Sequence, residues 1–282
     1  LSVADRSLMR RPVRQKARSQ IVSLQPPIKG LMLNQPPGGA DPLGAEVIEN
    51  GIPTNRGIRV RGGLQKSATV GSDPVKSLFA YRSTGGGALF AATAGAVYDI
   101  SGLDPDTAPT AEFSGQSAGY YGAQQIGTAG GDYLYIVNGS DSPRLYDGTS
   151  WTAITGVSTP AITGVTTSGL SHVWLYRSRL FFVQKDTLVA WYLPVDAIGG
   201  AALDLSLAGI FQRGGSLLFG ATWSLDSGSG LDDKCVFIST EGEIAIYEGG
   251  DPADPADWNM VGRYDVAMPL GINASMQAGG DL

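Results

Sequence analysis

The sequence predicts an all-β chain of β-propeller-like antiparallel blades, and three observations predict it. First, a hairpin phrase recurs: Leu89 to Asp99, Leu134 to Asp147, Leu180 to Tyr192 and Val236 to Tyr247. Each copy is an apolar strand, a polar or Gly turn, and a second strand with an aromatic residue at or near its end. With Leu89, Leu134, Leu180 and Val236 taken as equivalents, the steps are 45, 46 and 56 residues. A strand-only period of roughly 40–50 residues is the mark of propeller blades. Second, 40 Gly and 16 Pro with few helical patterns favour short strands and tight turns. Third, Gly-Gly pairs head the hairpins, as in Gly86-Gly87, Gly130-Gly131 and Gly214-Gly215. Gly supplies the positive φ that such turns need.

In chain order, residues 1–45 read as a basic, Pro/Gly-rich extended arm. Arg6, Arg10, Arg11, Arg14, Lys16, Arg18 and Lys29 face one early acid, Asp5. Pro26-Pro27, Pro36-Pro37-Gly38-Gly39 and Asp41-Pro42 keep the chain irregular. Ordering such a segment alone costs entropy for few contacts, so a partner subunit is expected to order it. No aromatic interleaves the basic residues, so base stacking is not supported.

Residues 46–84 read as lead-in strands. Ile58 and Val60 alternate with Arg59 and Arg61, which predicts one apolar and one basic face. Residues 85–282 read as the blades. Leu217 to Thr222 mirrors Leu89 to Thr93 and is expected as an extra strand that lengthens the last step. The closing Gly279-Gly280-Asp281-Leu282 repeats the lead-in, so the array is expected to be incomplete at its C-terminal end.

Charge is divided along the chain. Residues 1–82 hold 13 Lys+Arg and 5 Asp+Glu, and residues 83–282 hold 7 and 21. The arm with its lead-in strands thus carries +8 and the acidic body −14. The single Cys235 excludes an internal disulfide framework and a multi-Cys metal site. No apolar run approaches the roughly 18 residues of a membrane helix.

Catalytic signals are weak. His172 is the only histidine, and no Gly-x-Ser-x-Gly elbow accompanies it. A hydrogen-bonded structural histidine is the expectation there. Asp251, Asp254 and Asp257 could offer hard oxygen ligands, but the EF-hand pattern is absent and Asp-Pro pairs form ordinary turns. The segment Tyr146 to Trp151 fails the sialidase Asp-box, with Leu145 in its Ser place. Asn138-Gly139-Ser140 fits the glycosylation triplet. No catalytic, cofactor or metal residue is assigned, and an enzyme is not expected.

The run Ile48 to Pro53, Gly57 to Gly63, Ser77 to Tyr81, Leu89 to Thr93 and Val97 to Asp99 resembles the tail nozzle, or tail tubular protein B, family of short-tailed bacteriophages. The resemblance implies a structural virion protein, made in the host cytoplasm and built into the phage tail. It implies a ring, six-fold in that family, through which genomic double-stranded DNA is retained and ejected without sequence reading. It also implies contacts with the tail adaptor and with fibres. Candidate residues for inter-subunit or DNA contact are Arg10, Arg11, Arg14, Arg18, Arg59 and Arg61. An acidic body suits such a conduit, because like charge keeps phosphate off the wall. The alternative is a carbohydrate- or receptor-binding propeller module, which would repeat a ligand-facing aromatic at constant phase; Tyr98, Tyr146, Tyr192 and Tyr247 are regular, but they sit where blade packing also wants an aromatic, and core packing is the expectation there.

Overall fold

The structure is a computed structural model. It describes residues 23, 26–32, 41–55, 57–104, 106–225 and 232–275. The chain divides into two units, Leu1–Gln65 and Lys66–Leu282.

In the first unit, strands β1 (Gly51–Thr54) and β2 (Gly57–Val60) form an antiparallel hairpin. Upstream, Leu31 and Ala45 form a parallel bridge, and Lys29 pairs with Asp41. The two Pro-flanked segments are therefore tied to each other. Ile58 and Val60 are 38 % and 77 % exposed. The expected apolar face of β2 is thus not buried, because a two-stranded ribbon covers neither of its sides.

The second unit is four successive meanders of four antiparallel strands. Blade 1 is β3 (Ser77–Ser83), β4 (Gly86–Ala92), β5 (Ala96–Asp99) and β6 (Ala111–Ser114). Blade 2 is β7 (Gly122–Thr128), β8 (Gly131–Val137), β9 (Arg144–Tyr146) and β10 (Trp151–Ala153). After β11 (Ile162–Thr163), blade 3 is β12 (Leu170–Tyr176), β13 (Arg179–Gln184), β14 (Val189–Tyr192) and, beyond β15 (Gly200–Ala201), β16 (Leu203–Ser206). Blade 4 is β17 (Leu217–Leu225), β18 (Asp232–Ser239), β19 (Glu243–Glu248) and β20 (Asn259–Asp265). The first strands are the inner ones: β12 lies beside β7 on one side and β17 on the other. There is no α-helix among the described residues. The fold is all-β and of propeller type.

Strand alternation makes each middle blade apolar on both faces. In β13, Leu180 and Phe182 look back to blade 2, while Phe181 and Val183 look forward to blade 4. In β8, Leu134 and Ile136 look back to blade 1, while Tyr135 and Val137 look forward to blade 3. The layer between blades 2 and 3 is mostly aliphatic, while the other two are rich in interdigitated rings. Phe90, Tyr146 and Trp151 meet edge-on between blades 1 and 2, with Phe90 5.0 Å from each of the other rings. Trp174, Phe181, Phe237 and Trp258 fill the layer between blades 3 and 4.

The packing corrects the sequence reading of blade 4. Leu217 to Thr222 is no extra strand: it begins the inner strand of blade 4, equivalent to β3, β7 and β12. The added length of the last step lies in the first hairpin of blade 4, whose strands have 9 and 8 residues against 7 and 7 in blade 2. The fourth copy is also displaced by one residue. Leu134 and Leu180 look backward, but in β18 the backward positions are Cys235 and Phe237, and Val236 looks forward. A slip of one residue exchanges the faces of a strand.

The Gly-Gly pairs likewise differ in phase. Gly86 and Gly131 open second strands at φ +143° and +130°, but Gly214-Gly215 stands in the crossover before β17. The turn of blade 3 uses Arg177 and Ser178 at φ +45° and +59° instead. The residues read as lead-in strands divide as well. β1 and β2 belong to the first unit, and β3 is the inner strand of blade 1.

Candidate functional site

One end of the four inner strands carries the crossovers between blades and the turns between second and third strands. These parts are stitched together by a repeated backbone bond. The Gly139 N–H donates to the Leu170 carbonyl (2.9 Å), Lys185 to Gly169 (2.8 Å), Leu217 to Thr187 (2.7 Å), and Thr240 to Ser216 (2.8 Å). The stitching leaves a basin of about 390 Å³ bordered by Asn138, Ser140, Ser171, Lys185, Asp186 and Thr240.

The local sequence builds each part of the rim. Asn138 ends β8 in a turn, its Oδ1 accepting from the N–H groups of Ser140 (3.0 Å) and Asp141 (2.9 Å). Its Nδ2 donates to Asp141 Oδ2 (2.7 Å) and to the Ala118 carbonyl (3.1 Å), which fixes the crossover from blade 1. Burial pushes the Asp141 carboxyl up, but hydrogen bonds from Asn138 and Ser117 outweigh it and hold the carboxyl below its usual range. Gly139 is at φ +68°, and a Cβ there would lie 2.8 Å from Ser171 Cβ, so only Gly fits. Lys185 and Asp186 are exposed on the rim. The glycosylation triplet is thus a structural turn whose amide is already committed.

His172 lies just below, on β12. Its Nε2 is 3.0 Å from the Gly220 carbonyl oxygen of blade 4, so that nitrogen carries the proton. Its Nδ1 is buried without a partner and faces Gly122 of blade 2. The expected hydrogen-bonded histidine is therefore satisfied at one nitrogen only. Burial moves its pKa down to about 4, and the Gly220 bond opposes that shift. The ring is neutral at pH 7. A small cleft of about 150 Å³ beside it is lined by Trp174, Gly220, Thr222 and Ser275. No described acid is bonded to the imidazole, so this geometry builds no triad.

At the opposite end, Asp251, Asp254 and Asp257 form turns. The N–H groups of Gly250 (2.5 Å) and Asp251 (2.8 Å) donate to Asp257 Oδ2 and hold its carboxyl below its usual range. Asp254 Oδ1 accepts from Ala256 N (2.9 Å), and Asp251 pairs with Arg179 (3.3 Å). Among the described residues, no group of three acidic, His or Cys side chains is placed to hold a metal ion.

The basic candidates separate. Arg10, Arg11, Arg14 and Arg18 lie outside the described residues. Arg59 and Arg61 are exposed on and just after β2, and Arg61 Nε donates to Asn50 Oδ1 (2.6 Å). The recurrent tyrosines share no ligand face. Tyr146 and Tyr247 fill backward layers, Tyr192 fills a forward layer, and Tyr98 is half-buried in a satellite cluster.

Fold and site together define a β-propeller-type module. No protein-family model matches the chain, and no curated protein matches it. Among solved structures it is similar to BBS1N in complex with ARL6DN, in a mercury-soaked crystal. Identity is 9 % over 75 % of this chain and 58 % of that chain, with a TM-score of 0.43. A lead-soaked crystal of the same complex gives 10 % identity over 68 % and 56 %, with a TM-score of 0.40. The chain thus spans less than two thirds of the length of either of these two solved chains.

Proposed function

We propose that this propeller module is a wall segment of a phage tail nozzle or tail tube, assembled as a ring around a DNA channel. The observation that carries the reading is the charge of the blade-bearing chain: residues 83–282 have a net charge of −14. A conduit wall of that sign repels phosphate, so duplex DNA slides rather than binds. The tail-like phrases from Ile48 to Asp99 support the same reading, and they fall on β1 to β5. In this function the basic arm clamps an acidic neighbouring subunit through Arg10, Arg11 or Arg14. The adaptor and fibres bind other faces of the ring, and double-stranded DNA passes without base contacts.

Native mass spectrometry and electron microscopy of the assembled protein test this. A six-fold ring with a bore wide enough for duplex DNA is expected. A monomer at all concentrations would overturn it.

A second reading has one specific observation in its favour. The rim of Ser140, Lys185, Asp186 and Thr240 offers donors and acceptors suited to a carbohydrate or receptor group. Saturable glycan binding that Lys185→Ala and Asp186→Ala abolish would favour it.

A further inference from the structure

The dipeptide Asn-Gly occurs twice in the chain, as Asn50-Gly51 and as Asn138-Gly139. It is the pair most open to spontaneous deamidation, because glycine has no Cβ to shield its backbone nitrogen. That nitrogen attacks the asparagine Cγ, and the new C–N bond closes a five-membered succinimide. The side-chain nitrogen leaves as ammonia and takes up the proton that the backbone nitrogen gives up. Water then opens the ring at either carbonyl, to aspartate or to isoaspartate. Water is the only co-reactant. The attack needs a carboxamide free to turn toward the next backbone nitrogen, and an N–H free to lose its proton.

The two copies differ in both respects. At Asn138 the carboxamide is fully engaged. Its Oδ1 accepts from Ser140 and Asp141, and its Nδ2 donates to Asp141 and to the Ala118 carbonyl. The Gly139 N–H is committed as well, to the Leu170 carbonyl of blade 3. Attack would break these bonds together, and the last of them ties two blades.

Asn50 immediately precedes β1 and is exposed. Among the described residues its carboxamide has one partner, Arg61, whose Nε donates to Oδ1 (2.6 Å). Its Nδ2 donates to none of them. The Arg61 N–H also donates to the Asn50 carbonyl (2.9 Å), so Asn50 and Arg61 form a hydrogen-bonded pair of the ladder. The next pair, Gly51 and Val60, is then a non-hydrogen-bonded one, and the Gly51 N–H points away from β2. Both requirements of the attack are met at this copy.

We propose that Asn50 is a site of spontaneous deamidation in the folded chain, and that the blade stitching protects Asn138 from the same reaction. Aspartate at position 50 sets a carboxylate where Arg61 now donates, so the hydrogen bond becomes an ion pair and a basic residue of the β1–β2 hairpin is neutralised. Isoaspartate lengthens the backbone by one carbon at the start of β1 and disturbs the register of the hairpin.

Site-resolved mass spectrometry of the whole chain tests this, with one sample kept folded and one in urea at the same mildly alkaline pH. Both are digested in acid, and each site is followed by the mass gained when NH2 is exchanged for OH. A reaction that requires opening is slowed by the fraction of time the segment is open. Asn50 is therefore expected to react in the folded chain within about threefold of its own rate in urea, and Asn138 at least about tenfold below its own. A tenfold slowing of Asn50 on folding overturns the site. Equal rates at Asn50 and Asn138 in the folded chain overturn the protection. Asp141→Ala removes an acceptor of Nδ2 and is expected to speed Asn138 by about threefold or more, with Asn50 unchanged. Ser117→Ala, which trims only one bond to Asp141, serves where Asp141→Ala does not fold, with a smaller rise expected. An Asn138 rate that neither variant moves also overturns the protection.

Discussion

The Tyr176 hydroxyl lies 2.8 Å from the Gly249 carbonyl oxygen, so the last residue of the inner strand of blade 3 is tied to blade 4. The Asp233 carbonyl stands 3.1 Å from the same hydroxyl, and the one proton serves either oxygen. Tyr81 makes the equivalent reach from blade 1 to the Asp132 carbonyl of blade 2 (3.1 Å). Burial pushes the Tyr176 pKa up, so the hydroxyl stays a donor across the ordinary pH range. Tyr176→Phe removes the donor to the buried Gly249 carbonyl, at a cost of about 1–3 kcal/mol. The expected result is a lower midpoint in urea with an unchanged slope. Cys235, the sole cysteine, offers a second readout: faster labelling by a thiol reagent reports the opened blade 3–4 layer.

Gly220 is fixed by a ring, not by a turn. A Cβ there would stand 2.4 Å from Cζ2 and 2.5 Å from Cη2 of Trp174, well inside contact distance. Trp174 cannot retreat, since it stacks on Phe181 at 5.2 Å and meets Phe237 at 5.7 Å. Gly220→Ala therefore overpacks the layer and destabilises by about 1–3 kcal/mol. Thermal unfolding monitored by tryptophan fluorescence checks this. Pairing it with Trp174→Phe should recover part of the loss, because the smaller ring frees the space.

Much of the architecture was legible because blades repeat a two-residue alternation on a coarse period. The hairpins at Leu89, Leu134 and Leu180 are second and third strands, as their apolar runs and turns indicate. The face of each residue was less legible, since a one-residue offset at Val236 leaves composition unchanged and reverses every side chain. Tyr146, Tyr192 and Tyr247 are core residues, as blade packing predicts, but their faces were illegible for the same reason. Tyr192 and Tyr247 occupy like places in sequence, yet both point into the single layer between blades 3 and 4. The basin was invisible because its rim comes from three blades, and only the turn signal of Asn138-Gly139 marked any of it. Glu243 carried no signal either. A lone acid beside Gly242 reads as an exposed turn residue.

That acid is buried to 1 % and holds a crossover in place. Its carboxylate accepts from the Gln212 N–H at 2.9 and 3.0 Å and from the Arg213 N–H at 2.8 Å, with Arg263 at 3.8 Å. Burial pushes its pKa up, but these donors and the guanidinium groups prevail and hold it below the ordinary value. A folded-state pKa below the unfolded one gives stability that is present above the unfolded value and lost as pH falls through the folded one. Glu243→Ala strips the carboxylate from three donor contacts and is expected to cost about 3 kcal/mol at pH 7. The penalty should shrink as pH falls below the ordinary carboxylate range and through the folded pKa, where the natural side chain also loses its charge. A penalty that stays constant from pH 7 down through the acid limb of the stability curve would show that packing, not charge, holds the crossover.

His172 titrates the other way in charge but with the same sign in stability. Its folded pKa of about 4 lies below the unfolded value of about 6.5, so the unfolded chain binds the extra proton between those limits. Folding stability is therefore full above pH 6.5 and declines as pH falls toward 4, by up to about 3 kcal/mol. The cause is structural. A second proton would sit on Nδ1, which is buried without a partner against Gly122, while Nε2 is already engaged with Gly220. His172→Gln can keep a donor toward the Gly220 carbonyl and cannot become a cation. Its urea midpoint should be lower than that of the natural chain at pH 7.5 but change less between pH 7 and pH 5. A variant with the same slope as the natural chain in that window would show that other groups set the acid limit. Nuclear magnetic resonance of the single imidazole gives the folded pKa directly, and a value near 6.5 would refute the buried Nδ1.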